Sequence, residues 1–250
     1  MERGAYDEMR ALEDHHWWFR GKRRMLKPLI SAAVERGDVT LLDVGCGTGA
    51  NLNHVESTFP AVSTLGLDFD DGALHYCRGR RIGAGLLRGD GTRLPVRDGS
   101  LDCITALDII EHFDDDEALI AELHRALRPG GELVASVPAY PWLWSPHDDF
   151  LHHKRRYRTG ELQRKLAAAG FEIVGSHGFN FLLLPPIALV RFLKGRKAKS
   201  SGAEADGTDF FELPRPLNAL MAGLFWIEDA ITRVVPVPFG VSLLVRAKKR

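Results

Sequence analysis

With 250 residues, 45% of them hydrophobic and 26% charged, the chain has the make-up of a globular protein long enough for one elaborated α/β domain. Lysine plus arginine equals aspartate plus glutamate at 33 each, so no global field attracts nucleic acid. The cysteines, Cys46, Cys77 and Cys103, are few, odd in number and scattered, which fits neither a disulfide frame nor a cysteine-ligated zinc site and points to a reducing, cytoplasmic setting.

The first segment, 1–37, is predicted to be helical and aromatic. His15-His16-Trp17-Trp18-Phe19-Arg20 leads into the basic stretch Gly21 to Lys27. It reads either as a cover over one end of a sheet or as a lid over a reaction chamber. A strand is expected at Val39 to Val44, running into Gly45-Cys46-Gly47-Thr48-Gly49. Glycines at alternate positions after an apolar run describe a tight turn where backbone approaches a ligand. The helix expected at Ala50 to Thr58 would aim free N–H groups at that ligand. The spacing is G-x-G-x-G, not the G-x-G-x-x-G of a dinucleotide site, and no Lys-Ser or Lys-Thr follows as in a P-loop.

Further strands are expected at Val62 to Leu67, near Gly85 to Arg88, at Leu101 to Leu107 and at Glu132 to Val137. Helices are expected from Asp70 through Arg80 and from the acidic run Asp114 to Glu117 to near Arg128, before Pro129-Gly130-Gly131. Alternation at this spacing predicts a doubly wound parallel sheet, with ligands beyond the carboxyl ends of the strands. Asp43, Asp68, Asp90 and Asp108 all fall at or just after such ends. A loop dense in aromatics and histidines, Pro138 to Tyr157, precedes a helix at Gly160 to Ala169 and a strand at Phe171 to Gly175. Apolar segments fill 178–240, with a flexible excursion expected over 194–209. Val241 to Arg246 reads as a last strand before a basic tail.

Five pieces in order now carry a resemblance: Leu41 to Gly49; Gly66-Leu67-Asp68; Gly89-Asp90-Gly91 with Leu94-Pro95; Asp108-Ile109-Ile110-Glu111-His112; and Leu127-Arg128-Pro129-Gly130-Gly131. Together they make about 38–137 similar to class I S-adenosylmethionine-dependent methyltransferases, and the expected cofactor-binding α/β core is 38–177. The resemblance implies a seven-stranded, mostly parallel Rossmann-like sheet whose last strand, in 241–250, runs antiparallel between the fifth and sixth. An N-terminal helical lid and a helical insertion before that strand would complete it. It also implies S-adenosylmethionine as cofactor, with Asp68 on the ribose, Asp90 on the adenine amine, and Gly45, Gly47, Asp43 or Asp108 near the methionine end. Trp18, Arg20, Cys46, Gly49, Phe69, Gly91 and Ile109 complete the expected cofactor set. Asp43 reads equally as a brace of the turn, and Arg20 equally as a solvated charge.

The outer segments His16 to Arg20, Ser145-Pro146-His147-Asp148 and His153-Lys154-Arg155-Arg156-Tyr157 resemble bacterial methyltransferases of surface-polysaccharide or lipid-linked pathways. The implied acceptor is a small or lipid-linked molecule. His112, His147, His153 and Tyr157 are the candidate catalytic groups, a histidine being suited to take a hydroxyl proton near neutrality. No metal is expected, since adjacent His152 and His153 point different ways on any regular element. Nucleic acid is not an expected partner, because no Asn-Pro-Pro-Tyr-type base-flipping motif follows the fourth strand. Residues 178–240 read as a helical cap on the site or as a face resting on a membrane from the cytoplasmic side. The alternative reading of the whole is a non-catalytic cofactor-binding or membrane-associated partner module on the same fold.

Overall fold

A computed structural model describes residues 3–34, 39–80, 82–201 and 212–250. Its centre is β1 (Val39–Val44), where Leu41, Leu42 and Val44 are sealed from solvent. Leu41 packs with one helical layer and Leu42 with the other, because successive side chains of a strand point to opposite faces. Around it run β2 (Val62–Asp68), β3 (Gly85–Arg88), β4 (Leu101–Leu107), β5 (Leu127–Pro138), β6 (Phe171–Phe179) and β7 (Ser242–Lys249), in the order β3-β2-β1-β4-β5-β7-β6. The first five are parallel, and β7 is antiparallel to both neighbours.

The helices are α1 (Arg3–Leu12), α2 (Trp17–Val34), α3 (Ala50–Thr58), α4 (Asp71–Gly79), α5 (Asp116–Ala126), α6 (Pro146–Phe150), α7 (Glu161–Ala168), α8 (Leu184–Ser201) and α9 (Arg215–Thr232). One core joins α5 and α7 to the sheet through Leu119, Ile120, Leu123, Leu162 and Leu166. The other joins α2, α3 and α9 through Leu26, Ile30, Val55 and Phe225. The two layers leave the carboxyl ends of the parallel strands pointing at one common cleft.

Several boundaries differ from expectation for local reasons. Asp115, not Asp114, caps α5, accepting the Ala118 N–H at 2.9 Å. The strand β5 already begins at Leu127, and Pro129-Gly130-Gly131 is absorbed by a register shift opposite Leu101 and Cys103. The loop from Pro138 to Tyr157 contains α6, started by a capping box between Ser145 and Asp148. The strand β6 runs past Gly175 to Phe179 because β7 pairs with it throughout. The helix α8 extends through the first part of the expected excursion 194–209; its remainder, 202–209, lies outside the described residues, as do 35–37 of the expected lid.

Candidate active site at the strand tips

The glycine turn is held in a left-handed conformation, with φ of +72° at Gly45 and +54° at Gly47. A Cβ on Gly45 would sit 2.5 Å from the Ile109 side chain, so turn and β4 loop can touch only through glycine. A Cβ on Gly47 would meet nothing within 4 Å, because that side of the turn opens on the cleft. The Gly47 N–H donates to Asp68 Oδ2 and the Asp70 N–H to Asp68 Oδ1, both at 2.9 Å. Two backbone donors thus fix a half-buried carboxylate at the tip of β2. Burial raises its pKa above the ordinary carboxylate value, with the backbone N–H bonds opposing.

The N-terminal helices close over this turn. Glu13, 2% exposed, takes the Thr48 hydroxyl and the Arg80 guanidinium, and Arg80 Nε donates to the Thr48 carbonyl at 2.9 Å. Trp18 packs on Phe179 and Phe225, with ring centroids 5.6 and 5.8 Å away. Lys22 reaches Asp108 at the tip of β4, where Ser136 Oγ also donates at 2.8 Å. Burial pushes the Asp108 carboxyl up, but the Lys22 charge and the two hydrogen bonds together bring it below the usual range.

These groups line a cleft of about 2080 Å³. One end holds the turn, Asp68 and the 73% exposed ring of Phe69. The other holds Glu111, His112, His147 and His153 beside Arg156, with an apolar wall from Leu183, Ile187 and Val190 of the α8 region and Leu217 and Met221 of α9. His153 Nδ1 meets Asp148 Oδ1 at 2.9 Å, and Arg156 Nε donates to the same oxygen at 2.7 Å. Burial, then the neighbouring His153, lowers the His112 pKa to about 4. Among the described residues, Asp108, Tyr140, His152 and Asn180 are the non-glycine positions with positive φ, and all but Tyr140 line this cleft. Backbone strain of this kind gathers where structure serves a site.

Of the expected residues, Trp18, Gly45, Cys46, Gly47, Asp68, Phe69, Asp108, Ile109, His112, His147 and His153 line the cleft. Others do not. Tyr157 is fully buried and donates to Asp116 Oδ2 at 2.6 Å, so it is a core residue and not a catalytic candidate. Arg20 is exposed and outside the lining, which favours the solvated reading. Asp90 is exposed and caps its own turn through the Thr92 N–H at 2.9 Å, and Gly91 is buried under Leu119 and Phe113. Gly49 is buried behind the turn, against Cys77. Asp43 faces the interior: Thr105 donates to one oxygen at 2.6 Å, the other has no partner, and burial raises its pKa to about 6. Its side chain is tied to β4 and does not line the cleft. The Cys46 thiol is pushed up by its contact with Cys77 and by burial, so it is not activated.

Sequence reasoning missed Lys22, Glu13, Glu111 and Arg156. Each is a charged residue whose setting is tertiary: Lys22 meets Asp108 and Glu13 meets Arg80 far along the chain, Arg156 turns back to Asp148, and Glu111 is enclosed with no hydrogen-bond partner on its carboxylate.

The donor set fits S-adenosylmethionine. The turn leaves open space at Gly47, and its nearest fixed charge is the Asp68 carboxylate, which suits a diol and would repel a phosphate.

Residues 42–135 match the family model described as a methyltransferase domain. A Mycolicibacterium smegmatis protein named a probable S-adenosylmethionine-dependent methyltransferase is 29% identical over 172 residues, covering 67% of this chain and 64% of that protein. A malonyl-[acyl-carrier protein] O-methyltransferase of Methylococcus capsulatus is 31% identical over 140 residues, covering 52% of this chain and 51% of that enzyme. The chain therefore spans between half and two thirds of these relatives' lengths. A solved S-adenosylmethionine-dependent methyltransferase from Mesorhizobium loti superposes with a TM-score of 0.57 at 20% identity, covering 90% of this chain and 98% of that one, which shows the fold. With the glycine turn, the strand-tip carboxylates and the β7 insertion in place, residues 42–135 form a methyltransferase domain, and the chain is similar to the class I S-adenosylmethionine-dependent methyltransferases.

Proposed function

We propose that the chain transfers a methyl group from S-adenosylmethionine to an oxygen of a small or lipid-linked acceptor. The observation that carries this reading is one continuous cleft. It has an ordered carboxylate and open glycine turn at one end, and a histidine wall with an apolar lining at the other. The name of the Methylococcus relative, an O-methyltransferase acting on a carrier-bound acyl group, supports the acceptor class.

When bound, the cofactor supplies an electrophilic methyl on a sulfonium. Transfer of that methyl to the acceptor oxygen would leave the electron pair on sulfur as a neutral thioether, so no acid would be required of the protein. Asp68 would accept from the ribose hydroxyls through lone pairs its backbone donors leave open, and the exposed Phe69 ring would offer a face to the adenine. Trp18 and the apolar wall exclude water, which keeps the acceptor oxygen reactive and in line. If the acceptor is a hydroxyl, we assign proton removal to His147. His112 and His153 pack edge to face at 4.8 Å beside Glu111, and His147 stands 6.4 Å from His153 on the same wall.

Calorimetry with S-adenosylmethionine tests the first half: saturable binding to the wild type, and at least tenfold weaker binding to Asp68→Ala. Labelled-methyl transfer to fatty acyl and hydroxylated lipid acceptors tests the second. A wild-type protein that gives no heat with the cofactor sinks the reading.

Membrane contact has its own observation. Leu189, Phe192 and Leu193 of α8 and Leu220, Trp226 and Ile227 of α9 are exposed, and no helix among the described residues is long and apolar enough to cross a membrane. These helices also wall the acceptor end of the cleft, so a bilayer would deliver a lipid-linked acceptor directly. Co-sedimentation with anionic vesicles checks it; protein left wholly in the supernatant counts against it.

A further inference from the structure

Glu111 is fully buried, and neither of its carboxylate oxygens has a hydrogen-bond partner. Burying an ionised carboxylate without a partner is costly, so the chain tolerates a defect at the centre of its cleft. Two imidazoles stand beside it. One donor atom each from Glu111, His112 and His153 can be chosen so that all lie within 4.8 Å of one another. Because His153 Nδ1 is held by Asp148, its Nε2 turns toward Glu111 Oε1, 4.0 Å away. Asp148 is itself fixed, accepting from the Ser145 N–H at 2.8 Å and from Arg156 at 2.7 Å. A carboxylate that orients a histidine in this way is the usual support behind a metal ligand.

The surrounding charges point the same way. Lys22 is matched by Asp108 and Arg156 by Asp148. Once these pairs are formed, Glu111 is the carboxylate on this wall without a counter-charge.

We propose that Glu111, His112 and His153 bind a divalent transition-metal ion whose remaining coordination positions face the acceptor end of the cleft. One carboxylate oxygen and two imidazole nitrogens are a donor set for zinc, manganese or iron(II) with positions left open. Metal–ligand distances of ~2.0–2.2 Å require the three side chains to draw together on binding. No metal is expected from the sequence; of the neighbouring residues His147, Asp148, Asp149, His152 and His153, only His153 joins this trio. Within that group, His152 is exposed and Asp148 is consumed by Arg156 and Ser145. An open position would take an oxygen of the acceptor, holding it and favouring its ionised form. That role rests on the methyl-transfer reading, whereas metal binding does not.

The test is titration of the chelator-stripped full chain with Co²⁺, followed by its visible ligand-field bands, and then competition with Zn²⁺. The expected result is one equivalent bound with saturable bands, and at least tenfold weaker binding in both Glu111→Gln and His153→Asn. Glu111→Gln removes the orphaned charge, so without metal it should melt no lower than the wild type, and added Zn²⁺ should no longer raise its melting temperature. Should one variant fail to fold, His112→Gln takes its place with the same expectation. A wild type without saturable bands, or equal uptake by wild type and variants, overturns the proposal. Cofactor calorimetry on the same samples separates the two readings: metal lost with cofactor retained sinks this inference alone, and the converse sinks the methyl-transfer reading alone.

Discussion

Lys22, in the second helix, forms an ion pair with Asp108 at the tip of β4, 86 residues away. The pair ties the lid to the sheet at the point where the backbone of Asp108 adopts φ +55°. Lys22→Met leaves the carboxylate without its counter-charge. Removing one partner of a fully buried pair costs ~3–5 kcal/mol. Asp108 keeps 33% of its side chain exposed, so a loss of about 1–3 kcal/mol is expected. Urea unfolding measures it, and an unchanged midpoint counts against the tie.

Gly47 separates conformation from space. Its φ of +54° makes alanine unfavourable, yet a Cβ there meets no atom of the protein. Gly47→Ala should cost only ~1–2 kcal/mol of stability but weaken cofactor binding at least tenfold, because the methyl projects into the cleft. A melt and a calorimetric titration read the two effects separately. Undiminished affinity would show that the cofactor lies elsewhere.

Asp43 should make stability depend on pH. Its folded-state pKa is raised from 3.8 to about 6 by burial, so the native state holds this proton more tightly than the unfolded chain. The contribution is fully present below the unfolded value and is lost as pH rises through about 6. The rise corresponds to ~3 kcal/mol at most. The stability difference between wild type and Asp43→Asn should therefore shift in favour of the variant from pH 4 to pH 6.5, then level off. Parallel unfolding curves at those pH values decide it; a constant difference is the contrary outcome.

Phe225 joins the lid to α9, touching Trp17, Trp18 and Phe179 with centroids 5.7, 5.8 and 6.2 Å away. Phe225→Ala opens a cavity under both tryptophans and should cost ~3–5 kcal/mol. It should also move their fluorescence to longer wavelength as water enters. Unshifted emission with full stability would mean that the lid is held by other contacts.

What the sequence disclosed was local. The glycine turn, the Asp70 cap and the helix Ala50–Thr58 stood where expected because their determinants lie within a few residues. The antiparallel placement of β7 came from family resemblance, since nothing in Ser242–Lys249 itself names its neighbours. The capping box at Ser145 and Asp148 was present as a signal but was hidden in a stretch dense with aromatics and histidines. Tyr157 was a catalytic candidate through the resemblance carried by His153 to Tyr157, inside a basic cluster. Yet the cluster disperses: Lys154 and Arg158 are exposed, Arg156 turns to Asp148, and Tyr157 turns to Asp116. Lys22 and Glu111 were illegible for the opposite reason, since their meaning depends on tertiary neighbours. Glu13 likewise acquires its role only when Thr48 and Arg80 arrive.

The insertion of β7 between β5 and β6 bears on how the molecule assembles. Among the described residues β6 pairs in the sheet with β7 alone, so a nascent chain that has emerged only as far as α9 offers Phe171–Phe179 no strand to pair with. Assembly of that sheet edge must wait for residues some seventy positions downstream of β6, a long-range closure of the kind that slows folding and leaves strand edges exposed meanwhile.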